Sequence, residues 1–89
     1  MNKLAIPIES WAVVDSVSTQ RWSPLEPGRR LMGWVSVHGD LPAGMICTSA
    51  ILRIDEAEGL VETRNTLYRL GHSNPDYAAW LRQSASRAA

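Results

Sequence analysis

The sequence predicts an α+β fold: a small antiparallel sheet of four to five strands, curved or barrel-like, with one C-terminal helix. Three observations carry this. Residues 29–71 are a succession of short apolar runs, alternating with period two and cut by Gly, Asn, Asp and Pro at turn spacing. Behind Asn74-Pro75-Asp76 the apolar period changes from two to that of a helix. A chain of 89 residues has material for one modest core and no more. The organisation expected is a single domain over residues 1–89, made of an N-terminal strand and Pro-rich loop (1–28), a β-meander core (29–71) and a C-terminal helix (74–86).

The elements follow in order. A strand is expected over residues 10–18, with Trp11, Val13 and Val17 on one side and Asp15 interrupting them. Pro7 disfavours helix just before it, and a short helix over residues 9–16 is the alternative. Residues 19–28 hold two prolines and a glycine and read as a loop, with Trp22 pinning it to the body.

Residues 31–38 give the clearest strand. Leu31, Gly33, Val35 and Val37 form one face, and Met32, Trp34, Ser36 and His38 the other. Gly33 marks either a bulge or a close approach. Residues 39–44 carry strong turn chemistry. A strand over residues 45–54 follows, with Ile46, Thr48, Ala50, Leu52 and Ile54 facing one way and Met45, Cys47, Ser49, Ile51 and Arg53 the other.

Residues 55–59 have hairpin length, and Gly59 suits a left-handed closing position. Residues 60–63 return antiparallel, Arg64-Asn65 turn, and residues 66–70 form a last strand. An unbroken strand over residues 60–70 is the alternative; the break is preferred because neither parity of the whole run is apolar. Asn74 then caps a helix, Pro75 takes its first position, and Asp76 favours the positive end of its dipole. Tyr77, Trp80 and Leu81 form its apolar stripe, and fraying is expected over residues 84–89.

Composition narrows the function classes. The chain is 45% hydrophobic and 20% charged, which is globular. Nine acids balance nine bases, so no net field steers it onto nucleic acid or an anionic membrane. Cys47 is the only cysteine, which leaves no intramolecular disulfide. Residues 1–8 lack the apolar core of a signal peptide, and no run approaches the roughly 20 apolar residues of a membrane span. A soluble, cytoplasmic protein is expected.

Catalysis finds little support. Cys47, His38 and Asp40 supply the residue types of a nucleophilic site, but a mid-strand cysteine is expected to be a small buried hydrophobe, and no oxyanion motif accompanies it. His38, His72 and Cys47 lack paired-ligand spacing for a metal. No phosphate-binding loop or nucleophile elbow occurs. Thr48 and Ser49, with Arg53 nearby, offer hydroxyls to a phosphate, but cross-strand hydroxyl pairing explains them better. The expectation is no enzyme, no cofactor and no metal.

Binding remains. The leading expectation is a non-enzymatic protein-binding factor, because Trp and Arg are enriched at interface hot spots. Trp22 in its Pro-flanked loop with Arg29 and Arg30, and the acidic hairpin of Asp55, Glu56 and Glu58, are the candidate partner contacts. The alternative is a small nucleic-acid-binding barrel of OB or SH3 type. It would use Trp22, Trp34 and Tyr68 as stacking platforms, flanked by Arg21, Arg29, Arg30, Arg64 and Arg69. A homodimer through an exposed strand edge or the Trp80 helix face is a third reading.

The pattern G-W-V-x-V-H-G-D-L-P-x-G (Gly33 to Gly44), T-S-A-I-L-R-I-D (Thr48 to Asp55) and T-R-N-x-x-Y-R-L-G (Thr63 to Gly71) resembles a class of short bacterial and phage-borne accessory proteins. The resemblance covers about half the chain, and the class has no assigned activity to carry over to residues. It implies a context of phages, prophages and genomic islands, where small single-domain proteins often inhibit host defence, anti-CRISPR proteins among them. On that resemblance, an inhibitor of a bacterial defence complex is the specific form of the protein-binding expectation.

Overall fold

The computed structural model describes residues 5–15, 21–36, 43–64 and 66–88, with the helix side chains as far as Ser84. Five strands, β1 (Ile6–Val14), β2 (Arg30–Val35), β3 (Gly44–Asp55), β4 (Leu60–Thr63) and β5 (Leu67–Leu70), precede one helix, α1 (Pro75–Ala88). The strands close a barrel in chain order. Four pairings are antiparallel, and the ring closes through a parallel pairing of β1 with β5. The expected α+β class, curved sheet and single C-terminal helix are all present.

The barrel closes because its two long strands change partners part-way. Ile6, Ile8 and Pro7 of β1 pair with β5, whereas Ala12, Val13 and Val14 pair with β2. The register shifts between Glu9 and Ala12, where Ser10 adopts a left-handed φ of 51°. β3 behaves likewise, pairing with β2 up to Ala50 and with β4 from Ile51. Bends at bulges are how a strand leaves one sheet for another.

These bulges correct the expected faces of β3. Ile46 and Thr48 share the inward face, as their common parity predicts. An extra residue at Thr48–Ser49 then reverses the alternation, so that Ile51 is buried and Ala50 and Leu52 are exposed. A second shift between Ile51 and Arg53 restores Ile54 to the inside, opposite Val61. Strict period two holds only while the ladder is regular.

The N-terminal strand also begins earlier than expected. Ile6 and Ile8 are buried with Pro7 exposed between them. The proline signalled a boundary, but it is Ile8 that turns its backbone groups to β5, accepting the Gly71 N–H at 2.9 Å, so Pro7 lies at a position where β5 needs no N–H. Strand over residues 9–14 replaces the alternative helix there, and residues 16–18 lie outside the described residues. In β2 the expected faces hold for Leu31, Gly33 and Val35 inward, with Met32 and Trp34 outward. The turn over residues 39–42, and Asn65 in the 64–65 turn, lie outside the described residues. The break between β4 and β5 is present.

The core joins Ile6, Ile8, Val13, Leu31, Val35, Ile51, Val61, Tyr68 and Tyr77. Gly33 is glycine because Ile8 crosses it: a Cβ there would lie 2.5 Å from Ile8 Cγ1 and 2.8 Å from its Cδ1. α1 starts as expected, Asn74 Oδ1 accepting the N–H groups of Asp76 (2.8 Å) and Tyr77 (3.2 Å). The helix runs on to Ala88 rather than ending in the mid-80s.

Candidate functional site

The two segments expected to carry function meet. The turn that leads into β2 is tied to the middle of β3, the Gly28 N–H donating to the Ile51 carbonyl at 2.8 Å and the Ile51 N–H to the Arg29 carbonyl at 2.7 Å. This sets Leu25 and Pro27 against the β3–β4 hairpin. Between them lies an open groove of about 720 Å³, with Leu25, Pro27, Ile54, Leu60 and Leu67 as its apolar lining and Arg53, Asp55, Glu56 and Glu62 as its polar lining.

Register explains this lining. Arg53, Glu62 and Leu67 form one row across β3, β4 and β5, and Asp55, Leu60 and Arg69 form the next. Cross-strand partners share a face. Leu60 and Leu67 therefore stand on the outside of the barrel among charges, each half-buried. The hairpin tip is ordered by its own chemistry: Asp55 Oδ1 accepts the Glu58 N–H at 3.1 Å, and Gly59 closes the turn with φ 66°. Asp55, Glu56 and Glu58 are all exposed there.

Trp22, Arg29 and Arg30 have structural contacts beside this groove. Trp22 is half-buried and meets Tyr77 edge-on at 5.6 Å and Trp80 at 6.2 Å, so it pins the loop onto the helix. Arg29 Nε donates to Glu26 Oε1 at 2.8 Å within the turn. Arg30 Nε donates to the Thr48 carbonyl at 3.1 Å across to β3. Asp55 and Glu56 line the groove; Trp22 and Arg29 belong to the loop whose Leu25 and Pro27 form its opposite wall, and Arg30 opens β2 where that loop ends.

Other candidates are dispersed. Cys47 is exposed on the outer face of β3, not buried as expected, because the strand's inward positions there are Ile46 and Thr48. His38 and Asp40 lie outside the described residues. Among the described residues no group of three or more His, Cys, Asp or Glu side chains is placed to hold a metal ion. His72 instead pairs with Glu9, whose Oε2 accepts the His72 N–H at 2.8 Å and approaches Nδ1 at 3.3 Å. The Thr48 hydroxyl does bond across strands, but to the backbone N–H of Leu31 rather than to a second hydroxyl. Thr63 Oγ1 serves its own turn, donating to the Thr66 carbonyl at 3.3 Å.

Of the aromatic side chains expected to stack bases, Tyr68 is 5% exposed inside the barrel, where burial raises its phenol pKa. Trp34 is 50% exposed and sits opposite Met45, itself 56% exposed. Parity places Trp34 on the face opposite Leu31 and Val35, and Met45 on the face opposite Ile46, but which face looks outward is set by the barrel. No helix among the described residues is long and apolar enough to cross a membrane. The chain matches no family model, and neither a curated protein nor a solved structure is significantly similar to it.

Proposed function

We propose that this protein is a non-enzymatic protein-binding factor that takes a cationic segment of its partner, carrying an apolar side chain, into the groove between residues 25–27 and the β3–β4 hairpin. The observation that carries this is the lining itself. Leu60 and Leu67 stand outside the barrel with apolar surface on offer, and three carboxylates face one guanidinium around them. None of Asp55, Glu56 or Glu62 forms an ion pair with another described residue. The volume is that of a pocket for a few side chains. Glu58 extends the acidic rim at the hairpin tip, while Trp22, Arg29 and Arg30 hold the opposite wall in place.

The charge arrangement sets orientation and encounter rate, and the apolar lining supplies affinity. Selection from a library of displayed random peptides tests this. Enriched sequences should place Lys or Arg on either side of an apolar residue, and Glu56→Lys with Glu62→Lys should abolish their binding. Enrichment of acidic peptides, or binding that survives both substitutions, would sink the proposal. The narrower form, an inhibitor of a bacterial defence complex, rests on the sequence resemblance. It predicts restored plaque formation on a defended host, lost with the same two substitutions.

A further inference from the structure

We propose that the edge of β3 at residues 44–47 pairs antiparallel with the same edge of a second copy of this chain. The direction of the backbone groups there follows from β1. The Ser23 N–H donates to the Val13 carbonyl and the Asn74 N–H to the Trp11 carbonyl, each at 2.8 Å, so Trp11 and Val13 point away from β2. Ala12 and Val14 therefore bond with Met32 and Arg30. By alternation Leu31, Gly33 and Val35 point to β3, where Gly33 and Val35 pair with Ile46 and Gly44. The Leu31 N–H reaching Thr48 Oγ1 at 3.1 Å agrees with this.

Met45 and Cys47 consequently turn their N–H and C=O groups away from β2. Pairing with β4 begins only at Ile51, and both residues are exposed. Among the described residues no segment pairs with this side of residues 44–47.

Edges left open in folded proteins are usually protected by charge, proline or a bulge. Met45-Ile46-Cys47 carries no charge and no proline, and the bulge comes only after it, at Thr48–Ser49. A two-fold axis through Ile46 sets Met45 of each copy against Cys47 of the other, so that all four N–H and C=O groups of these two residues are satisfied at once. The outer face matches as well. Trp34 pairs with Met45 and Met32 with Cys47 within one copy. Across the axis the rows become Trp34–Met45–Cys47–Met32 and its mirror, apolar at every position. Self-pairing brings no like charges together, and a net charge of zero adds no repulsion between copies. This self-complementarity selects a second copy over a foreign strand.

Sedimentation equilibrium under reducing conditions tests the register directly. The wild-type chain should rise from 9.8 kDa to twice that mass as concentration increases. Met45→Lys with Cys47→Lys sets Lys against Lys in this register and should weaken the dimer about tenfold or more. Met45→Lys with Cys47→Glu sets Lys against Glu and should restore it. All four substituted side chains face solvent, and circular dichroism confirms that each variant is folded. A wild-type chain that stays monomeric to millimolar concentration overturns the proposal and leaves the edge to an extended segment of another protein. A dimer that the double-Lys variant does not weaken overturns it too, since association then lies elsewhere.

Discussion

The phenol of Tyr77 donates a hydrogen bond to the main-chain carbonyl of Ser23 at 2.5 Å, joining the first turn of α1 to the loop that leaves β1. The two residues are 54 apart in sequence and both are buried. Trp11, Trp22 and Trp80 surround the Tyr77 ring at centroid distances of 5.8, 5.6 and 5.9 Å. The helix is thus fastened by one aromatic side chain that reaches a carbonyl no strand uses. Tyr77→Phe keeps the ring and removes the donor, leaving that carbonyl unpaired at a cost of about 1–3 kcal/mol. Tyr77→Ala opens a cavity among three tryptophans and should cost about 3–5 kcal/mol. Urea denaturation followed by tryptophan fluorescence measures both; equal stability of the Phe variant and wild type would show that the bond contributes nothing.

The same phenol makes stability fall in alkali. Burial pushes the Tyr77 pKa up from 10 to about 12. Below pH 10 the folded and unfolded chains both keep the proton. As pH rises past 10 the unfolded chain releases it first, so stability falls until the folded phenol ionises near 12. A shift of this size corresponds to about 2–3 kcal/mol. Tyr68, raised by its own burial, acts in the same direction. These are the only two tyrosines, so phenolate absorbance should appear together with unfolding rather than before it. Tyr77→Phe should flatten the decline between pH 10 and 12; an unchanged slope would assign it to other groups.

Gly33 and Ile8 are coupled by contact. Ile8 is fully buried and has no room to retreat from a Cβ at position 33. Gly33→Ala should therefore cost about 1–3 kcal/mol through overpacking. Ile8→Ala removes both offending atoms and costs about 2–5 kcal/mol on its own. Combined, the two should cost measurably less than their sum, because each relieves the other. Additive denaturation energies would show that the contact is not what keeps the glycine.

Much of this fold was legible in the sequence where local order suffices. Leu31, Gly33 and Val35 alternate inside a strand whose ladder is regular, so their shared face could be read directly, with Trp34 on the opposite one. Asn74-Pro75-Asp76 begins its helix by short-range chemistry alone. Ile51 could not be read correctly. Its inward position depends on an extra residue at Thr48–Ser49, which is defined by pairing with a strand some eighteen positions earlier. Ile6 and Ile8 were hidden by Pro7, whose outward position depends on β5. The groove was half-legible: Asp55 and Glu56 on one side, and the Pro-flanked loop on the other, both stood out in the sequence. Their meeting depends on Gly28 and Arg29 docking on Ile51, a contact without a local signature.

Thr48 is where the bulge can be tested. Its hydroxyl accepts the Leu31 N–H at 3.1 Å and donates to the Ser49 carbonyl at 2.7 Å, while its side chain is buried. The extra residue at Thr48–Ser49 removes a backbone carbonyl from the position where Leu31 would find one, and the hydroxyl takes its place. Thr48→Val keeps the shape and leaves a buried N–H without an acceptor, which should cost about 1–3 kcal/mol. Thr48→Ser keeps the oxygen and should retain most of that stability, losing chiefly the buried methyl at about 1 kcal/mol. Amide hydrogen exchange adds a local reading: the Leu31 N–H should lose protection in the Val variant and keep it in the Ser variant. Protection kept in the Val variant and lost in the Ser variant would mean that the methyl, not the hydroxyl, holds the bulge in place.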